Sequence, residues 1–251
     1  MSLGRAKLAM GQGLSVWVLD APRGFGDAQL HAHHAIQITA CLSGELALMD
    51  AERTVRAPAI AVAADTLHRF EAQGLLVFLF VEPEGRAGRA LHEMLFARAP
   101  LAELDAVALL PAVAALRTCL DVAMSVPEML AIGRQGLEAL APFGPAPRPD
   151  PRISRVIERA SANLDESLGA AAEAAGVFLS PSRLRHLFVE HTGLAYKTYL
   201  LWLRLVRAIE VYSEGRSLTE SAHAAGFADS AHFSRTFKRT FGLPATTLER
   251  L

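Results

Sequence analysis

The segment that begins at Ala174, AAGVFLSPSRLRHLFVEHTGL, lies over the one that begins at Ala224, AAGFADSAHFSRTFKRTFGL. Leu184 aligns with Phe233, Phe188 with Phe237 and Gly193 with Gly242, each pair 49 residues apart, and the two Ala-Ala-Gly runs are 50 apart. Agreement of this length at one period marks two copies of a single supersecondary unit. It restricts the C-terminal part of the chain to an arrangement that uses the same helical unit twice.

Each copy follows one grammar. An Ala-rich helix, SLGAAAEAA or SLTESAHAA, ends at Gly176 or Gly226, a glycine expected in the left-handed conformation, and a tight turn leads into a second helix. Ser217 with Glu220 makes a capping box, Ser180 before Pro181 supplies an N-cap and a first-turn proline, and Asp229 caps the last such helix. In the first copy Leu184, Leu187 and Phe188 face the core while Ser182, Arg185 and His186 face out. In the second, Phe233 and Phe237 face in while Ser230, Ala231, Ser234 and Arg235 face out. Between the copies, residues 196–213 read as an amphipathic helix of roughly 27 Å. That length can hold two recognition helices about one DNA turn apart, roughly 34 Å, on one side of a duplex. Lys238 and Arg239 then fall where phosphates pass.

Upstream, the segment 141–151 (APFGPAPRPDP) places five prolines in eleven residues, which excludes a helix or a central strand and marks a linker. Residues 1–82 alternate as strands at 17–19, 36–42, 45–50, 59–64 and 75–82, a pattern that suggests a small barrel or sandwich. Residues 87–140 turn helical, with breaks expected around Pro100, Pro111 and Pro127. The fold expected is therefore α+β. A small N-terminal β-barrel (1–86) is followed by a helical connector suited to dimerisation (87–140), the linker (141–151) and an all-α tandem helix-turn-helix domain (152–251).

The charges divide along the same line. Residues 1–150 carry 12 Lys+Arg against 16 Asp+Glu, and residues 151–251 carry 13 against 10. An acidic front half and a basic back half suit a small-molecule module joined to one that meets a polyanion. Neither a membrane span nor an export signal is evident, so the expected location is the cytoplasm. Cys41 and Cys119 lack disulfide or metal spacing and read as buried, inert thiols.

The stretch GVFLSPSRLRHLFVEHTGLAYKTYLLWLRLVRAIEVYSEGRSLTESAHAAGFADSAHFSRTFKRTFGLP resembles the DNA-binding domain of the AraC/XylS family of bacterial transcription regulators over about 100 residues. The resemblance implies that both units enter adjacent major grooves of double-stranded promoter DNA. Base contacts would fall on Ser182, Arg185 and His186 and on Ser230, Ala231, Ser234 and Arg235, with Lys238 and Arg239 on phosphates. It further implies a homodimer and, for an activator, RNA polymerase as a partner. The chain departs from the family at Ala231, too short for a base hydrogen bond, and after Pro244, where ATTLERL replaces the usual tyrosine-arginine pair.

One motif remains in the front half. In LHAHHAIQITACLSG, residues 30–44, His31, His33 and Gln37 share parity, so on a continuous strand they point to one face and His34 to the other. The spacing H-x-H-x3-Q-x6-G resembles the first cupin motif, with Gln37 in place of the usual glutamate. A second cupin motif would end at His68, with Ala63 and Asp65 in place of its proline and glycine. Three imidazoles and an amide oxygen can hold Zn, Ni or Fe with an open position. AraC-type regulators, by resemblance, also use such a pattern as a metal-free effector pocket. The expected function is a DNA-binding regulator controlled by a small ligand or metal. The competing one is a metal-dependent cupin oxygenase or isomerase fused to a DNA-binding domain, which the absent glutamate disfavours.

Overall fold

The computed structural model describes residues 5–26, 30–144, 150–164, 169–241 and 245. Seven strands form one antiparallel sheet: β1 (Ala6–Gly11), β2 (Leu14–Gly26), β3 (Ile36–Met49), β4 (Thr54–Arg56), β5 (Ala59–Val62), β6 (Arg69–Val81) and β7 (Leu101–Glu103). Their order is β1-β2-β6-β3-β5-β7, with β4 paired to β3. The runs expected as separate strands at 36–42 and 45–50 are one strand, continued through a bulge between Cys41 and Ser43. Beside the bulge Gly44 faces Gly74, with φ of 123° and 108°, and a Cβ on either would run into the backbone of the facing strand. Glycine at both positions is what lets β3 and β6 pass this point together.

Both faces of the sheet are covered. Val16, Val18, Ile36, Ile38, Val77 and Leu79 lie in one apolar cluster with α1 (Arg86–Leu95), α2 (Ala106–Arg117) and α3 (Val126–Leu140). Trp17, Leu19, Leu48, Ile60, Phe78 and Phe80 lie in a second cluster with the C-terminal helices. Two apolar sets out of phase explain why residues 75–81 (LLVFLFV) show no polar alternation.

Three local features depart from the sequence pattern. The helical stretch after residue 86 contains β7, which adds to the sheet beside β5. Pro111 does not break its helix: α2 runs through it, with Leu109, Ala112, Val113 and Leu116 buried, so apolar burial outweighs the hydrogen bond that proline removes. Strand β1, whose residues carry a weak alternation, is an addition to the expected set. Pro127 does mark a helix start, behind the Ser125–Glu128 capping box of α3.

The C-terminal helices are α4 (Pro151–Ala162), α5 (Ala170–Gly176), α6 (Pro181–Thr192), α7 (Tyr196–Ser213), α8 (Leu218–Ala224) and α9 (Ser230–Phe241). The expected linker lies partly, at 145–149, outside the described residues, as does the segment after Pro244 apart from Ala245.

Candidate functional site

The two repeated units fold as α5–α6 and α8–α9, joined by the 18-residue α7. Ser180 accepts from the Arg183 N–H at 3.2 Å, Asp229 Oδ1 from the His232 N–H at 2.5 Å, and Ser217 with Glu220 closes its capping box. Gly226 takes the left-handed conformation at φ 76°, but in the first unit the positive φ falls on Phe178, at 56°, two residues past Gly176. At Gly176 the Arg159 guanidinium packs into the space beside the Cα that a Cβ would otherwise fill. Leu184, Leu187 and Phe188 in α6, and Phe233 and Phe237 in α9, are buried. The opposite faces are open. Ser182, Arg185 and His186 are exposed on α6, and Ala231, Arg235, Lys238 and Arg239 on α9, with Ser230 and Ser234 half-buried. Arg183, also exposed in the first turn of α6, is a further basic group on this surface that the repeat alignment alone did not single out.

The ends of both helices rest on segments that flank the sheet. The Arg86 guanidinium donates to the Glu190 carbonyl of α6, and the His34 backbone N–H donates to the Arg239 carbonyl of α9 at 2.7 Å. Glu190 and Arg239 are equivalent positions, 49 residues apart. Beyond them the Phe241 ring sits 5.6 Å from Trp17, 5.4 Å from Phe80 and 5.9 Å from Trp202, centroid to centroid. Trp202 of α7 donates its indole N–H to Glu82 Oε2 at 2.6 Å.

Just ahead of β3 and β6, His31, His33 and His68 come together, with ring centroids 4.6 Å (His31–His68), 4.9 Å (His33–His68) and 5.6 Å (His31–His33) apart. The continuous strand expected to align them does not exist. β3 starts only at Ile36, and His31 is held by an isolated antiparallel bridge to His68, with reciprocal 2.8 Å backbone bonds. Convergence follows from long-range pairing in place of strand parity.

The chemistry of the three rings is specific. His33 Nδ1 lies 2.8 Å from the Ala35 carbonyl and His68 Nδ1 2.8 Å from the Thr66 carbonyl, so in the neutral rings each Nδ1 donates and each Nε2 presents its lone pair. Burial above all, reinforced by the charge of neighbouring imidazoles, pushes His33 down to about 4 and His68 down to about 3, which keeps both neutral at physiological pH. His68 Nε2 is buried without a hydrogen-bond partner. Gln37 is buried beside them, its Oε1 2.9 Å from His33 Nε2 and its Nε2 donating to Thr39 Oγ1 at 2.9 Å. Lone pairs from Nε2 and Oε1 then face each other, the arrangement of two ligands sharing a cation or of an amide turned so that its N–H donates. An orphaned buried nitrogen, oriented neutral imidazoles and a nearby amide oxygen fit the donor set of Zn, Ni or Fe.

A second cluster escaped the sequence reading. His34, expected to point away from His31 and His33, meets Glu82 and Glu84: its Nε2 is 3.6 Å from Glu82 Oε1 and 3.2 Å from a Glu84 oxygen, while its Nδ1 pairs with Asp65 Oδ2 at 3.0 Å. Burial first, and then the neighbouring Glu84, pushes Glu82 up to about 8. Burial works against protonation of His34, but the Asp65 hydrogen bond and the charges of Glu84, Glu82 and Asp65 leave its pKa raised. Only the acidic composition around 82–84 hinted at this cluster, and nothing local linked it to His34.

Residues 171–250 match the helix-turn-helix domain family. Over 94 residues the chain is 37% identical to the HTH-type transcriptional activator RhaS of Escherichia fergusonii, a match covering 37% of this chain and 34% of that one. Over 95 residues it is 30% identical to the HTH-type transcriptional regulator GbdR of Pseudomonas aeruginosa, covering 38% and 26%. The chain thus spans about a quarter to a third of the length of the curated relatives it matches. Among solved structures it is similar to ToxT from Vibrio cholerae O395, with a TM-score of 0.48 and 14% identity over 98% of both chains.

Proposed function

We propose that this chain, whose C-terminal part carries an AraC/XylS-type helix-turn-helix domain, is a transcription regulator that binds double-stranded promoter DNA through α6 and α9. The observation that carries this reading is the pair of outward polar faces, Ser182, Arg185 and His186 on α6 and Ser230, Ser234 and Arg235 on α9, on a segment that matches this domain. Arg235 and Arg185 suit the N7 and O6 edge of guanine, and Lys238 and Arg239 suit phosphates. Ala231 can offer only an apolar contact, such as to a thymine methyl.

The signal is a divalent transition-metal ion held by His31, His33 and His68, with the Gln37 amide oxygen completing the set. Supporting this are the unpartnered His68 Nε2 and the backbone carbonyls that orient two of the rings. Bound there, the ion would act as a structural cross-link between the 31–37 segment and His68. Because His34, within that segment, donates its backbone N–H to the Arg239 carbonyl, occupancy can bias how α9 sits, to the extent that the ion binds one arrangement better than another. Met94, Val107, Leu110 and Val126, each solvent-facing on α1, α2 or α3, are apolar side chains available to a homodimer contact.

A second reading, an organic effector, has one observation in its favour. A cavity of about 720 Å³ opens beside Cys41, Arg56, Glu71 and Gln73, within the range of roughly 300–1,000 Å³ that small-molecule sites occupy.

The test combines two measurements: elemental analysis of the purified protein, and fluorescence anisotropy on a duplex from upstream of its own gene, with and without Zn²⁺, Ni²⁺ or Fe²⁺. Specific binding that responds to metal, with about one ion per chain lost in His68→Gln, is the expected result. Specific binding indifferent to metal would redirect the search to organic ligands, and absence of specific binding under every condition would overturn the regulator reading.

A further inference from the structure

The cluster of His34, Glu82 and Glu84 stands apart from the three-histidine site and is built differently. Its ligand atoms all lie within 4.8 Å of one another. The separations of 3.6 Å and 3.2 Å from His34 Nε2 to the two carboxylates are close to those of ligands around one small ion, roughly 3.0–3.5 Å for bonds of about 2.1 Å. Asp65 engages Nδ1 of His34 and so turns Nε2 toward the two glutamates, as a carboxylate does behind a metal-bound histidine. The Glu82 side chain is 5% exposed, and its Oε1, aimed into the cluster, has no hydrogen-bond partner. Its other oxygen is already committed to the Trp202 indole.

We propose that His34 Nε2, Glu82 Oε1 and a Glu84 oxygen form a second cation site, for a divalent transition-metal ion with mixed nitrogen and oxygen preference such as Zn²⁺ or Mn²⁺. One imidazole and two carboxylates make a site of borderline hardness, and Glu84, half-exposed, gives the ion an entry path and room for water ligands. The position gives the site its consequence. His34 carries the N–H that holds the Arg239 carbonyl, Glu82 holds Trp202, and Arg86, two residues past Glu84, holds the Glu190 carbonyl. An ion here ties His34, which precedes β3, to Glu82 and Glu84, which follow β6 and lead into Arg86, so its occupancy regulates the seating of both recognition helices.

Full-length protein carrying His31→Gln, which disables the three-histidine site at its half-exposed member, is titrated with Co²⁺ and followed by visible absorption. The same titration is run with Glu84→Gln or His34→Gln added, and far-ultraviolet circular dichroism checks the fold of each. The proposal expects one Co²⁺ per His31→Gln chain and at least a tenfold weaker affinity in each double variant. It is overturned if the His31→Gln protein takes up no Co²⁺, or if Glu84→Gln leaves the affinity within twofold. Since no DNA enters the measurement, failure of this site leaves the regulator reading intact, and failure of DNA binding leaves this result standing.

Discussion

The two helix-turn-helix units share a grammar but not an attachment. Helix α6 is held near its C-terminal end by a hydrogen bond from Arg86, the first residue of α1, to the Glu190 carbonyl, and at the position equivalent to Phe241 it carries Thr192, whose hydroxyl donates to its own helix at the Phe188 carbonyl, 2.7 Å away. Helix α9 makes the equivalent bond, from His34 to the Arg239 carbonyl, and then drives Phe241 into a cluster of Trp17, Phe80, Phe237 and Trp202. Hydrogen bonding is therefore matched between the units while apolar burial is not. Since burial is the larger source of free energy, a change in the sheet should reach the second unit more strongly than the first.

The largest expected effect comes from removing that difference. Phe241→Ala leaves a void among four aromatic rings and should destabilise the chain by about 3–5 kcal/mol in chemical denaturation, whereas Thr192→Ala at the equivalent position should cost about 0.5–1.5 kcal/mol. Equal losses would mean that the aromatic cluster does not seat α9. Next comes base reading. Arg235 aligns with His186, so the units present a bidentate donor and a single-donor ring at the same place. Arg235→Ala should cost about 1–3 kcal/mol at the cognate duplex and relax one base position, and His186→Ala about 0.5–1.5 kcal/mol, both read by anisotropy against point-mutated duplexes. If Arg235→Ala weakens random DNA as much as cognate DNA, Arg235 is a phosphate contact.

The hydrogen bond shared by the units is testable on one side, because only Arg86 uses a side chain. Arg86→Ala should lower stability by about 0.5–1.5 kcal/mol and selectively increase hydrogen exchange at the C-terminal end of α6, with α9 unaffected. Loss of protection in both helices would show that they respond as one body.

The same contrast explains what could be read from the chain. Caps at Ser180, Ser217 and Asp229, the buried Phe188 and Phe237 and the 49-residue period are properties of short segments, so local rules reach them. Gly176 shows the limit: a glycine stands in the right place for a left-handed turn, yet Phe178, two residues on, takes the positive φ. The convergence of His31, His33 and His68 was anticipated, but on a strand that does not exist, because the bridge between His31 and His68 joins residues 37 apart. His34 with Glu82 and Glu84 depends wholly on how β3 and β6 register, which no local pattern encodes. Pro111 departs from expectation for the opposite reason, since the local rule is clear and burial of α2 outweighs it.

The smallest effect separates the units by charge. Lys238, exposed on α9, aligns with Val189 on α6, so at this position a phosphate contact is available to the second unit alone. Neutralising one phosphate contributes about one unit to the slope of log K against log salt. Lys238→Ala should therefore weaken cognate and random duplexes alike and lower that slope by about one, while Val189→Lys should raise it by about one if α6 lies in its groove as α9 does. A slope unmoved by Val189→Lys would place the C-terminal end of α6 away from the backbone. The difference in attachment to the sheet would then extend to a difference in how the two helices sit on DNA.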